Sequence, residues 1–309
     1  MGKDSNSSSR VLDGIPEPLP DWNEDPEVWK WALPVHSYVF GITFFFIAVY
    51  GVYNLVKLCK SKMKNSRNYF VAITGLVCFL GFTRAVVLLG DPYSTRRPFA
   101  LTPGYGLLLF SLGYPCLTSG FFLINWSLVE VTKLQLLPSR IHKRKVLALV
   151  LVIHFVVVIT FDMIFVYFSQ TIFLFICRSF FVVWGILLFG GFIVASIRLQ
   201  NQVRQTLRNL TVTGNETPVA RGQSNNEKNA RPARFQEART RKVMKIARRA
   251  AATGLLICCT QIYALWEFYV FYNNDVVPKA WPWWGYQTSF RCVELFMVSQ
   301  MFLIIRPKK

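Results

Sequence analysis

The chain has 309 residues, 53% of them apolar and 16% aromatic, with a formal net charge of +19. Its apolar residues gather in runs longer than a buried core helix needs, which excludes an ordinary soluble globular domain. The positive excess would suit a nucleic-acid binder, but its placement along the chain, given below, excludes that class.

Residues 1 to 34 hold seven acids, three bases and prolines at positions 16, 18, 20, 26 and 34, with no apolar signal-peptide core. They read as an acidic outer tail, and the first apolar run is expected to direct insertion. Trp29, Lys30 and Trp31 lead into that run as an interfacial aromatic belt. Seven runs follow, at about 35 to 57, 69 to 90, 104 to 131, 146 to 168, 173 to 199, 250 to 272 and 284 to 305. Each reaches or exceeds the roughly 20 residues that a helix needs to cross a hydrocarbon core.

Between these runs the charge alternates. Segments 56 to 68, 132 to 146, 198 to 249 and 306 to 309 carry 26 Lys and Arg residues, whereas the tail and the other three loops carry 6. That asymmetry is the positive-inside pattern, and it predicts an outer N-terminus and a cytosolic C-terminus. The fold class read from the sequence is therefore all-α, a polytopic seven-transmembrane-helix bundle. Residues 1–34 form the outer tail, 35–305 the membrane domain, 201–249 a basic cytosolic loop within it and 306–309 a cytosolic tail.

In the third run Pro115 predicts a kink, with Thr118 and Ser119 available for the freed backbone groups, and Gly120 allows close helix approach. In the long loop, Thr211 to Arg231 is expected to be unstructured. From Phe235 a basic helix is expected to run into the sixth span, with Arg241, Lys242, Lys245, Arg248 and Arg249 forming a surface for anionic lipid or a cytosolic protein.

Charges inside the spans carry the functional question, because an intramembrane ionisable residue is costly and usually faces the bundle interior. Arg84, Asp162, Arg178, Glu267 and Arg291 lie within about five to eight residues of the outer end of their helices, and Glu294 lies one turn deeper than Arg291. Equal numbers of each sign predict one neutral network. Asp162 and Arg178 share a depth and are expected to form a structural ion pair. Arg84, Arg291, Glu294 and Glu267 are the candidates for an outer-half ligand site.

Nothing in the sequence carries catalysis or a cofactor. The three histidines have no metal-ligand spacing, so no metal site is expected, and His154 in the fourth run reads as a helix-packing hydrogen-bonder. All seven cysteines lie in or at the ends of the runs, which leaves no outer disulfide. Cys59, beside Lys57 and Lys60, is a palmitoylation candidate.

The layout is that of a G-protein-coupled receptor, but Val129-Glu-Val-Thr-Lys133 and Phe302-Leu-Ile-Ile-Arg-Pro307 depart from the rhodopsin-like motifs. The chain resembles more closely the seven-span region of the proline-rich transmembrane protein family. Thr83-Arg-Ala-Val-Val-Leu-Leu89, Asp91-Pro-Tyr-Ser-Thr-Arg96, Pro115-Cys-Leu-Thr-Ser-Gly120 and Leu134-Gln-Leu-Leu-Pro-Ser-Arg140 carry that resemblance. It implies a multi-pass membrane protein without defined chemistry. The functional expectation is a receptor-like or adaptor protein with membrane lipids and a cytosolic protein as partners, no nucleic acid, and a polar or lipid ligand of unknown identity. The alternative is a transporter or channel with a charged outer vestibule.

Three N-x-S/T sequons outside the apolar runs test the orientation. Asn6 should carry glycan while Asn209 and Asn215 stay bare, so glycosidase treatment should shift the wild-type band and leave Asn6→Gln unchanged. A shift that survives Asn6→Gln would invert the topology.

Overall fold

The computed structural model describes residues 19–20, 27–60, 67–90, 93, 103–131, 144–168, 171–215, 224–274 and 277–305. Among these residues there are seven α-helices and no strand. They are α1 (Leu33–Lys60), α2 (Arg67–Gly90), α3 (Pro103–Val131), α4 (Arg144–Phe168), α5 (Thr171–Asn215), α6 (Ser224–Asn274) and α7 (Ala280–Ile305). A π-helical turn, Val28–Ala32, precedes α1. The seven apolar runs thus fall on seven helices.

Six of these helices, all but α7, are long and apolar enough to cross a membrane. At 26 residues α7 has the length. Its hydropathy is lowered by Gln287, Arg291, Glu294 and Gln300, all of which it buries against its neighbours.

Neighbours in sequence pack as neighbours in space, and α3 is the axis, touching α2, α4, α5, α6 and α7. Phe110, Leu117, Phe121 and Ile124 put α3 side chains into the two large apolar clusters that fill the bundle. The α7 stripe of Trp283, Gln287, Phe290, Glu294, Met297 and Met301 repeats every three or four residues and faces inward. Outward, α1 exposes Tyr38, Ile42, Phe45, Phe46, Val49 and Tyr53, the surface expected against lipid tails.

In lipid, helices gain little from burying apolar surface against each other, so close backbone approach matters more. Gly81 supplies it between α1 and α2. A Cβ there would lie 2.8 Å from Ala48 N and 2.9 Å from Phe44 O. Cys78 Sγ reaches Ala48 O across the same contact at 3.6 Å.

The loop between the fifth and sixth runs departs from expectation. Rather than being unstructured from Thr211 to Arg231, the chain stays helical to Asn215 and is helical again from Ser224, ahead of the expected start at Phe235. Ser224-Asn-Asn-Glu227 has the spacing of a capping box, a start signal that apolar periodicity does not register. The apolar part of α5 ends at Arg198 and that of α6 begins at Met244. The two helices therefore extend about 26 and 30 Å beyond the apolar layer at 1.5 Å per residue.

Gly81→Ala should lower the thermal unfolding midpoint in detergent micelles, because backbone atoms of α1 have to yield, at a cost of about 1–3 kcal/mol. Gly75→Ala, on the same helix with nothing within 4 Å of its Cβ, should leave the midpoint unchanged or raise it. Equal losses from both would remove the close-approach argument.

Candidate functional site: the buried polar layer

Helix geometry brings the polar residues of the spans together near the end of the bundle at which α1 and α7 begin. They form three groups instead of the single network expected from depth along the helices.

The first group joins α2 to α7. Arg84, Arg291 and Glu294 are each fully buried. Arg84 donates through Nε and Nη2 to Glu294 Oε1 at 3.0 and 2.6 Å, and through Nη1 to the Phe110 carbonyl of α3 at 2.7 Å. Arg291 Nη1 donates to Glu294 Oε2 at 2.5 Å, the two residues being one turn apart on α7. Gly113 makes the space, since a Cβ at that position would overlap the Arg84 guanidinium.

Two guanidinium groups share one carboxylate, so the trio holds one uncompensated positive charge. Aromatic faces meet it. Arg84 Cζ lies 5.0 Å from the Phe110 ring centre and 5.3 Å from that of Tyr114, while Arg291 Cζ lies 5.2 Å from Phe110 and 5.3 Å from Phe290. Desolvated cation–π contacts of this kind are worth about 2 kcal/mol or more. The trio is fully buried, and among the described residues Arg291 Nε and Nη2 have no hydrogen-bond partner, so aromatic faces rather than further acceptors meet the remaining charge.

The second group joins α3, α4, α5 and α6. Ser111, Tyr114, Asp162, Cys177, Arg178, Phe181 and Gln261 line a cavity of about 10 Å³. Asp162 and Arg178 both line this cavity. Asp162 accepts a hydrogen bond from Ser111, and the Arg178 guanidinium carbon lies 5.7 Å over the Phe268 ring. Gln261, an uncharged residue that the count of charges in the spans does not register, belongs to this cavity. Tyr114 touches both groups, lining the cavity and stacking on Arg84.

A third set ties α1, α7 and the α2–α3 connection together at the same end. His36 Nδ1 lies 2.9 Å from Thr288 Oγ1, and His36 Nε2 lies 2.8 Å from Tyr93 Oη. Tyr93 is fully buried, at a φ of 55°. That left-handed backbone is costly for a bulky residue and persists where surrounding packing imposes it. Trp284 Nε1 donates to Ala32 O at 3.0 Å, and Trp281 bridges Trp284 and Trp31 at ring distances of 5.9 and 6.0 Å. The sequence gives a weak signal for this clasp: His36 and Thr288 are polar residues just inside the ends of two apolar runs.

Glu267 stays apart from all three groups and accepts a hydrogen bond from Tyr263 Oη at 2.5 Å on α6. His154 is the packing residue expected of it: its Nε2 lies 3.1 Å from Thr118 Oγ1, whose hydroxyl donates to Tyr114 O at 2.9 Å. Lys245, Arg248 and Arg249 are exposed on α6. Arg241 and Lys242 lie on the same helix, with side chains outside the described set, and Asn6 lies outside the described residues. All seven cysteines are free, and the described residues include no group of three metal-ligating side chains.

Removing one member of the trio should do more harm than removing all three. Glu294→Gln leaves two buried guanidinium groups without a counter-charge and should cost about 3–5 kcal/mol. Methionine at positions 84, 291 and 294 together should cost clearly less, read as unfolding midpoints in micelles. A triple variant as damaged as the single one would mean that the charges are not what couples α2 to α7.

A family model described as the Proline-rich transmembrane protein 3 domain matches residues 6–307. No curated protein matches the chain. The match covers nearly the whole sequence and agrees with six helices fit to cross a membrane: this chain is an integral membrane protein and belongs to the family of the Proline-rich transmembrane protein 3 domain.

Proposed function

We propose that this protein is a membrane-embedded adaptor of receptor-like layout, with α7 as a seventh crossing and the N-terminus outside. In this reading it presents the extensions of α5 and α6 to an acidic cytosolic protein. One observation carries the proposal: both helices continue without a break beyond the apolar layer, to Asn215 and from Ser224. The stretch 198 to 249, which contains both extensions, holds 13 Lys and Arg residues. Lys245, Arg248 and Arg249 are exposed where α6 enters that layer. A dense cationic surface on ordered helices favours an anionic partner and speeds its encounter.

The enclosure of Arg84, Arg291 and Glu294 favours the adaptor over a ligand receptor built on those residues. All three side chains are sealed from solvent and aromatic faces surround the excess positive charge, so an incoming ligand would first have to part packed helices to reach them.

Native mass spectrometry on gently extracted protein tests this reading with a variant in which Lys242, Lys245, Arg248 and Arg249 are changed to Gln. Retention of a bound cytosolic protein should fall at least about tenfold, the factor that about 1.4 kcal/mol carries. Full retention by the variant, or a small molecule lost only from Arg291→Ala, would defeat the adaptor reading.

A further inference from the structure

The cavity between α3, α4, α5 and α6 carries unfinished polar chemistry. Asp162 Oδ2 and Gln261 Nε2 are both buried, and neither has a hydrogen-bond partner among the described residues. One is an acceptor and the other a donor, and both residues line the same space of about 10 Å³, close to what one water needs. On α3, Pro115 has no N–H and so withdraws the usual helical donor from the Ser111 carbonyl.

We propose that the cavity binds one neutral donor–acceptor oxygen, a hydroxyl-type group that donates to Asp162 and accepts from Gln261. Charge excludes the alternatives. A bare cation is opposed by the Arg178 guanidinium and an anion by the Asp162 carboxylate, since both side chains line the cavity. Size excludes anything larger than a single such group, so a bigger molecule could insert only its own hydroxyl.

The surroundings favour water as the source. Leu107, Phe165 and Phe268 form a separate apolar cluster. Leu107 and Phe165 lie about one turn from Ser111 and Asp162, and Phe268 lies about two turns from Gln261, all toward the end at which α1 begins. That cluster closes the cavity on the side from which a large ligand would enter through the bundle. The bound oxygen gives α4 and α6 a polar link beneath the Phe165–Phe268 contact.

X-ray hydroxyl-radical footprinting of the full chain in nanodiscs tests the proposal, because radicals formed from a bound water oxidise the side chains beside it. Cys177 lines the cavity and Cys116 sits in an apolar cluster, and both are buried. Cys177 should oxidise several-fold faster than Cys116, and Gln261→Leu should erase the difference. If Cys177 is no faster in the wild type, native mass spectrometry decides. A small molecule or lipid retained by the wild type and lost from Gln261→Leu keeps the proposal, with a ligand hydroxyl as the oxygen. A slow Cys177 with no such molecule means a dry cavity and overturns it. The wild-type comparison of the two cysteines stands even if the variant fails to fold.

Discussion

Glu294 between two arginines is the constraint on which the rest of the bundle depends. A carboxylate in the low-dielectric interior requires opposite charge and directed donors, and here they come from α2 through Arg84 and from α7 through Arg291. The arrangement fixes which face α7 turns inward, and that face also carries Phe290, Met297 and Met301 into the core. Gly113 and the Phe110 carbonyl draw α3 into the same contact. Three helices are thereby registered by one ion cluster, and the apolar packing above and below it follows.

Around that fixed centre the polar groups are graded in enclosure. The trio is packed tightly against aromatic faces, which leaves Arg291 Nε and Nη2 without a hydrogen-bond partner among the described residues, whereas the unsatisfied atoms of Asp162 and Gln261 belong to residues that border a cavity. Tyr114 stands between them, with its ring on Arg84 and its edge in the cavity lining. Near the helix ends the His36, Tyr93 and Thr288 contacts and the tryptophan cluster hold α1, α7 and the α2–α3 connection together. The membrane domain is thus organised as a closed ionic centre, an adjacent hydrated-size gap and an aromatic rim.

Much of this was legible in the sequence, and the remainder was not for a geometrical reason. Apolar run length located all seven helices, because lipid imposes a minimum length that soluble cores do not. Rise per residue put Arg84, Arg291 and Asp162 at comparable depth. Depth says nothing about rotation about the helix axis, so it merged two groups that face different neighbours and drew in Glu267, which pairs with Tyr263 on its own helix. Gln261 was left out of the candidate site because depth was followed for charged residues alone. The extensions of α5 and α6 were missed in part because a polar helix without an apolar stripe has no periodic signature.

The continuity of α5 and α6 has a mechanical consequence. The α5 extension, which contains no proline, behaves as a stiff lever anchored in the bundle, with its free end roughly 26 Å beyond the apolar layer, whereas Pro232 removes a backbone donor partway along the α6 extension. A tilt of about 10° at the fulcrum would carry the tip sideways by about 5 Å. Small repacking around α5 within the bundle would then be amplified at the far end into a displacement larger than a side chain's own motion, without the helix having to unwind.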